Sequence, residues 1–178
     1  MKQELQLKFE MITQMYLYNN EGVVFGKKGV YPQAGSGAVR VYFNNAQIQI
    51  TGSVDMSTIS SSGNDLNGAA GPSGTSVIFK IKNLSVTGDT ANKVVTLHTR
   101  VVDNELSVWV EGYDAICKVK LSTSYEAGTV GLISKSWKAG GGYKAVWLRN
   151  FATDTQPEPE VTATPAVVGN SKVIQLLQ

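Results

Sequence analysis

The chain has few of the residues on which disulfide frameworks, metal centres and polyelectrolyte surfaces depend. Among its 178 residues are one cysteine, Cys117, and one histidine, His98. An internal disulfide framework, a cysteine-only zinc site and a histidine-rich metal centre are therefore excluded. Charged residues make up 17% of the chain and leave a net charge of +2. That balance excludes a disordered polyelectrolyte and argues against an electrostatically driven nucleic-acid binder, so no nucleic-acid partner is expected.

Long apolar runs are also missing. No segment approaches the roughly 18 consecutive apolar residues of a membrane-spanning helix, so membrane insertion is not expected. The N-terminal sequence MKQELQLKF alternates apolar and polar residues and lacks the apolar block of a signal peptide. The length is that of one domain, or one domain with a tail, and it suffices to bury a core without metal ions or disulfides.

The dominant pattern has a period of two residues, which is typical of half-buried β-strands. Such alternation, or a short apolar run between glycines, recurs along the chain at residues 5–11, 22–26, 39–43, 48–50, 76–82, 95–101, 106–110, 117–121, 128–133 and 145–151. Turn-forming residues such as Asn44-Asn45 and Asp103-Asn104 separate several of these segments. About ten strands at this spacing predict an all-β fold, an antiparallel sandwich or barrel, and we expect the two-sheet antiparallel sandwich.

Two segments depart from the strand pattern. Residues 53–75 are rich in Ser, Gly and Asn, and we expect them to form a long surface loop or a decorated edge of the sandwich. After Phe151 the composition shifts to Pro, Thr and Glu, which is typical of an extended linker. The predicted organisation is therefore a sandwich domain over 1–154 and a Pro/Thr-rich linker or tail over 155–178. The alternative is that this tail closes an edge of the sandwich.

The two phases of the predicted strands differ in character. One phase is a conventional apolar core that includes Cys117, whereas the other carries aromatic and charged side chains where an exposed sheet usually carries Lys, Thr and Ser. The members of this outward phase are Arg40, Tyr42, His98, Arg100, Trp109, Glu111, Tyr143, Trp147 and Arg149. Aromatic rings stack on the C–H faces of sugars while Arg and Glu bond the hydroxyls, so the outward phase predicts a carbohydrate-binding platform. The alternative is that these aromatics pack under a long loop.

The glycine-rich loop 134–143 is a second candidate binding surface. Trp137 stands between two lysines and beside three glycines, where it has no obvious core role. We expect Trp137 and Tyr143 to stack on a ligand, with further contacts from the outward phase through Arg40, Trp109, Glu111 and Arg149. The alternative is that Trp137 plugs the mouth of the sandwich.

No catalytic constellation stands out. His98 has no nucleophile motif beside it, and no phosphate-binding glycine loop lies between a strand and a helix. The turn carboxylates do not form the pair on neighbouring strands that glycoside hydrolysis requires. No cofactor is expected, although Asp55, Asp65 and Asp89 stand at turns where they could join backbone carbonyls around a structural calcium ion.

The segment 96–153 resembles the C-terminal half of concanavalin A-like (laminin-G-like) jelly-roll domains, especially those appended to bacterial glycoside hydrolases. The matching residues are Leu106, Val108, Val110 and Gly112, then Tyr125, Gly128, Val130, Gly131 and Leu132, then Trp147, Asn150 and Phe151. Two departures are that Asn150 precedes Phe151 and that Glu111 stands where the family usually has Asp. In similar modules the loop after the second of these segments contributes to the ligand pocket, which here is the Trp137 loop.

This resemblance implies a non-catalytic carbohydrate-binding module that targets a larger, multidomain glycan-processing protein. Its partner would be a polysaccharide or oligosaccharide, and its location secreted or cell-surface. Two alternatives stay open: a protein-binding adhesion or assembly domain, and a small β-sandwich glycoside hydrolase. The family includes lectins, glucanases and adhesion domains, so the fold alone does not choose among them.

Overall fold

The computed structural model describes residues 8–15, 22–27, 35–85, 94–133 and 147–152. These ranges contain twelve β-strands and no helix. Six of the strands form the first sheet, namely β1 (Lys8–Met15), β5 (Val54–Ser62), β8 (Val95–Val102), β9 (Glu105–Val110), β10 (Ile116–Leu121) and β12 (Trp147–Ala152). Their order across the sheet is β12-β1-β8-β9-β10-β5.

The other six strands form the second sheet. They are β2 (Gly22–Gly26), β3 (Ala38–Asn44), β4 (Gln47–Gly52), β6 (Gly71–Ser73), β7 (Ser76–Phe79) and β11 (Thr129–Ile133). Their order is β11-β2-β3-β4-β7-β6, and neighbouring strands in both sheets are antiparallel. The predicted all-β, two-sheet antiparallel sandwich is confirmed.

Of the two structures expected for the segment 53–75, it forms sheet edges and not a long surface loop. It contributes strand β5 to one edge of the first sheet and strand β6 to one edge of the second. Strand β5 pairs with β10 at both of its ends, while most of its residues are partly or fully exposed. The serine-rich composition therefore reflects an edge strand with few apolar contacts, not an absence of strand structure.

The core lies between the inner faces of the two sheets. Phe9 of β1 and Phe25 of β2 meet across it edge to face, with ring centroids 4.8 Å apart. Both are buried among a large apolar cluster that draws on strands from both sheets. Cys117 is part of this cluster, and desolvation raises the pKa of its thiol to about 12. The thiol is therefore protonated and inert at neutral pH.

The β8–β9 hairpin turns at the predicted Asp103-Asn104, and the β3–β4 hairpin turns one residue beyond the predicted Asn44-Asn45. The central residues of the β3–β4 turn, Asn45 and Ala46, both have positive φ, as do Asp103 and Asn104 in the β8–β9 turn. Two-residue hairpin turns with this backbone match the twist of the strands, and Asn and Asp tolerate it well. These turns set the register that carries each outward-facing residue to its place.

The connection from β4 to β5 crosses from the second sheet to the first and is held tightly. Gly52 has a φ of 109°, and a Cβ placed there would lie 2.1 Å from the carbonyl oxygen of Ala38, so only glycine fits. The buried Ser53 hydroxyl then accepts a hydrogen bond from the Gly37 N–H at 2.8 Å and one from the Ser124 hydroxyl at 3.0 Å. This crossover ties the two sheets together at one end of the sandwich.

Candidate functional site

The outward phase predicted from the sequence is divided between two opposite surfaces. Arg40 lies on β3 of the second sheet, whereas Trp109 lies on β9 of the first. Because the sheets pack through their inner faces, their outward faces point away from each other. The expectation of one continuous platform that joins these residues is therefore wrong.

On the first sheet, the outward face carries a row of four paired residues. Ile12, His98, Trp109 and Ile116 stand opposite one another in register across β1, β8, β9 and β10. The His98 and Trp109 rings stack with centroids 4.8 Å apart and planes 7° from parallel. Trp109 is only 2% exposed and His98 is 0% exposed, so the expectation that this phase faces water is wrong for both. The row is a second, smaller buried cluster in its own right.

Charged side chains flank this row and are also buried. Glu10 and Arg100 stand opposite each other in register, with 3% and 4% exposure. One Glu10 carboxylate oxygen lies 3.7 Å from His98 Nδ1, which is an ion-pair distance only if the imidazole is protonated. Among the residues that the structure describes, Arg100 Nη1, Trp109 Nε1 and both ring nitrogens of His98 have no hydrogen-bond partner. These groups are enclosed by the fold and are not presented to a dissolved ligand.

The remaining predicted contacts on this side are more scattered. Glu111 directly follows β9, where its N–H donates to the Thr96 carbonyl at 2.9 Å and its side chain is partly buried. Arg149 lies in β12 at the edge of the sheet, in register with Ile12. Trp137 and Tyr143 lie outside the described residues. The ligand-binding roles of these residues therefore stay predictions.

The outward face of the second sheet has a different arrangement. The Arg40 guanidinium lies 3.7 Å from the centroid of the Tyr42 ring, and both residues are buried. The Tyr42 hydroxyl donates a 2.5 Å hydrogen bond to Oε1 of Gln49 on the neighbouring strand. This hydrogen bond orients the Gln49 amide and leaves both of its N–H donors for a ligand.

Beside Gln49 the same face opens into a cavity of about 410 Å³, called here the second-sheet groove. It lies over a register row across β4, β7 and β6, in which Ile78 forms the floor between Gln49 and Gly71. A Cβ built on Gly71 would meet nothing within 4 Å, so the missing side chain leaves open space above the strand. The lining consists of Gln47, Gln49, Asn67, Ala69, Gly71, Pro72, Ser73, Ile78 and Lys80.

The groove combines an apolar floor with polar walls. Ile78 is partly buried beneath it, while the amides of Gln47, Gln49 and Asn67 and the exposed Lys80 supply polar groups at its sides. None of the described lining residues is an aspartate or a glutamate. The groove can therefore hold a polar molecule through hydrogen bonds and an apolar contact, but these residues supply no carboxylate for acid or base catalysis.

Sequence reasoning missed this groove for an identifiable reason. Gln47 and Gln49 alternate with core isoleucines as ordinary outward strand residues do, and residues 67–73 fell in the predicted loop. The available signal was the pair Gly71-Pro72, because glycine in a strand often marks a close approach and proline marks an edge strand. Recognising β6 as an edge strand would have placed the opening beside it.

The turn carboxylates considered for calcium have partners within the chain. Asp65 Oδ2 accepts a 2.7 Å hydrogen bond from the Asp114 N–H, and Asp114 Oδ2 accepts one from the Asn64 N–H at 3.1 Å. Asp55 is bonded to Ser57, and Asp89 lies outside the described residues. No group of three or more His, Cys, Asp or Glu side chains in the described ranges could hold a metal ion. Among the same residues, no helix is long and apolar enough to cross a membrane.

Comparison of the chain with protein-family models, with curated proteins and with solved structures found no match. The likeness to concanavalin A-like domains therefore stays an expectation from the motifs of the segment 96–153. A functional assignment therefore rests on the geometry of the two outward faces. The central residues of the first face are enclosed, and the second face is open at the second-sheet groove.

Proposed function

We propose that the chain is a non-catalytic carbohydrate-binding domain and that the second-sheet groove is its glycan site. The observation that carries this proposal is an open cavity of about 410 Å³ with an apolar floor and amide-bearing walls. Saccharide rings combine apolar C–H faces with a rim of hydroxyls, so they need both features at once. The cavity falls within the roughly 300–1,000 Å³ of small-molecule sites.

Two side chains of the groove are held in place before a ligand binds, which lowers the entropic cost of binding. Gln49 and Ile78 are carried on paired strands, and the Tyr42 hydroxyl fixes the Gln49 amide. Side chains that are already in place lose little conformational entropy on binding. A site of this size that covers one or two sugars should bind with a Kd of roughly 0.01–1 mM. Tethering to a larger protein would then raise retention on a polymer through avidity.

The wider role belongs to the same proposal. The jelly-roll resemblance supports a module that targets a larger, multidomain glycan-processing protein, either secreted or at a cell surface. Trp137 and Tyr143 stay the predicted aromatic contacts, with Glu111 and Arg149 as predicted face residues, whereas Arg40 and Trp109 are buried. The lining of the groove includes none of these residues, so variants can separate the two locations.

Filling the groove tests its assignment. The Gly71 backbone does not have positive φ and its Cβ direction is open, so Gly71→Leu should place an isobutyl group in the groove without a clash. We expect retention on polysaccharide-containing affinity gels to fall at least tenfold. The thermal midpoint should stay within a few degrees of the parent, because no packed atom is displaced.

The matched control is Ala127→Leu, which adds apolar volume at an exposed position outside the groove and should leave retention unchanged. If Gly71→Leu keeps the retention of the parent and Trp137→Ala loses it, the glycan site lies in the predicted loop 134–143 and not in the groove. If no polysaccharide retains the parent chain, the carbohydrate proposal is wrong, and the result favours the alternative of a protein-binding adhesion domain.

A further inference from the structure

The second-sheet groove has a one-sided charge. Lys80 is exposed at its wall, and its ammonium group forms no ion pair with a described residue. No aspartate or glutamate is among the described lining residues. The charge of the described lining is therefore +1, with no carboxylate to compensate it locally.

The groove also supplies hydrogen-bond donors that suit an anionic group. The Gln49 amide oxygen accepts from the Tyr42 hydroxyl, which orients the side chain and leaves both of its N–H donors for a ligand. Lys80 is a donor without acceptor capacity. The Arg40 guanidinium lies over the Tyr42 ring and helps to hold the hydroxyl that orients Gln49.

The charge of Lys80 is what distinguishes an acidic glycan from a neutral one. The amide and hydroxyl oxygens of the groove can accept from the hydroxyls of a neutral sugar, but such a sugar brings no charge to the Lys80 ammonium. A carboxylate or sulfate group presents acceptors alone, which match the Gln49 N–H groups and the Lys80 ammonium. Hydrogen bonds to charged groups are also about twice as strong as those between neutral groups.

We propose that the ligand of the second-sheet groove is an acidic saccharide, whose carboxylate or sulfate group is held by Lys80 and Gln49 above the apolar contact of Ile78. This inference rests on the proposed function and narrows it to a class of glycan. Lys80 is then the residue that determines specificity, and Gln49 orients the acidic group.

The test compares matched pairs of polymers with and without acidic groups. The full chain is run in affinity gels containing polygalacturonate or its methyl-esterified form, and dextran sulfate or unmodified dextran. We expect retention by at least one acidic polymer and at least tenfold weaker retention by its neutral partner. Which acidic polymer retains the chain identifies the group as carboxylate or sulfate.

Charge variants separate a site from a general attraction to polyanions. Lys80→Gln should weaken retention about tenfold, Lys80→Arg should keep most of it, and Lys120→Gln, a matched change on the opposite sheet, should leave it unchanged. Equal loss in Lys80→Gln and Lys120→Gln would overturn the inference, because it would indicate non-specific charge attraction.

The two proposals fail in different ways. Equal retention by neutral and acidic partners, abolished by Gly71→Leu, would overturn the acidic class and leave the glycan site standing. Retention by no polymer of either kind would overturn both.

Discussion

At the scale of single residues, Trp109 shows the difference between the direction of a side chain and its exposure. Alternation correctly places Trp109 on the phase opposite the core residues Val108 and Val110. The residue is nevertheless buried and stacked on His98, and both phases of β8 and β9 are largely buried. Period-two patterning identifies the two faces of a strand, but it carries no information about what covers the outer one.

Truncation of this side chain should therefore affect stability. We expect Trp109→Ala to lower the free energy of unfolding by about 3–5 kcal/mol, because it removes a large buried ring and leaves a cavity beside His98. Urea unfolding followed by circular dichroism measures this change. Trp109→Phe keeps an aromatic ring against the imidazole and should cost less than half as much.

A small loss of stability in Trp109→Ala would contradict the burial of this ring. An exposed platform tryptophan can be truncated at a cost below about 0.5 kcal/mol. A Trp109→Ala change of that size would show that the ring is open to solvent and would restore it as a stacking candidate.

At the scale of elements, strand β5 shows how an edge is built from polar residues. Residues 56–59 bulge opposite Val119 alone, between the paired positions Asp55–Lys120 and Ser60–Lys118. The Asp55 carboxylate accepts from both the hydroxyl and the N–H of Ser57, at 2.6 and 3.0 Å. A bulge interrupts the row of edge hydrogen-bonding groups, which protects an exposed edge from pairing with another chain.

The bulge has a measurable titration signature. The hydrogen bond from the Ser57 hydroxyl, and then that from its N–H, lower the pKa of Asp55 below its ordinary value of 3.8. Because the pKa of Asp55 is lower in the folded state, its ionised carboxylate stabilises the fold at pH values above 3.8. This stabilisation is lost as the pH falls through the lowered pKa of the folded state. We expect Ser57→Ala to move the Asp55 pKa upward, measured by carboxyl-detected NMR titration.

Thr58→Ala is the internal comparison for this titration. The Thr58 hydroxyl donates to the backbone carbonyl of Asp55 and not to its carboxylate, so the Asp55 pKa should stay close to the parent value. Equal pKa values for Asp55 in the parent and in Ser57→Ala would contradict the hydrogen-bonded arrangement of the bulge.

Strands could be predicted from the sequence where one of their two phases is apolar. The segment 22–26 matches β2 along its full length, and the turn at 103–104 lies where the sequence predicts it. Strands β5 and β6 were not predictable, because polar edge strands lack an apolar phase and are fixed by pairing with β10 and β7. The second-sheet groove was missed with them, since β6 forms one of its walls.

At the scale of the whole molecule, the sandwich has two unlike outer faces. The first sheet encloses His98, Trp109 and charged neighbours, whereas the second sheet opens into a groove with amide walls. Predicting a sandwich required only the alternation of the strands, but assigning outward residues to one face or the other required the strand order of each sheet. That order depends on pairing between strands that are distant in the sequence, which cannot be read from the residue pattern of a single chain.

The location of the glycan site is the central claim, and amide chemical-shift mapping tests it most directly. The ¹⁵N-labelled chain is titrated with a fragment of the polysaccharide that the affinity gels retain most strongly. We predict that the largest shifts fall on the backbone amides of Gly71 and Ser73 and the side-chain amide of Gln49, while the Trp109 indole signal stays in place. Shifts confined to the Trp109 indole or to residues 134–143, with the groove unchanged, would contradict the account.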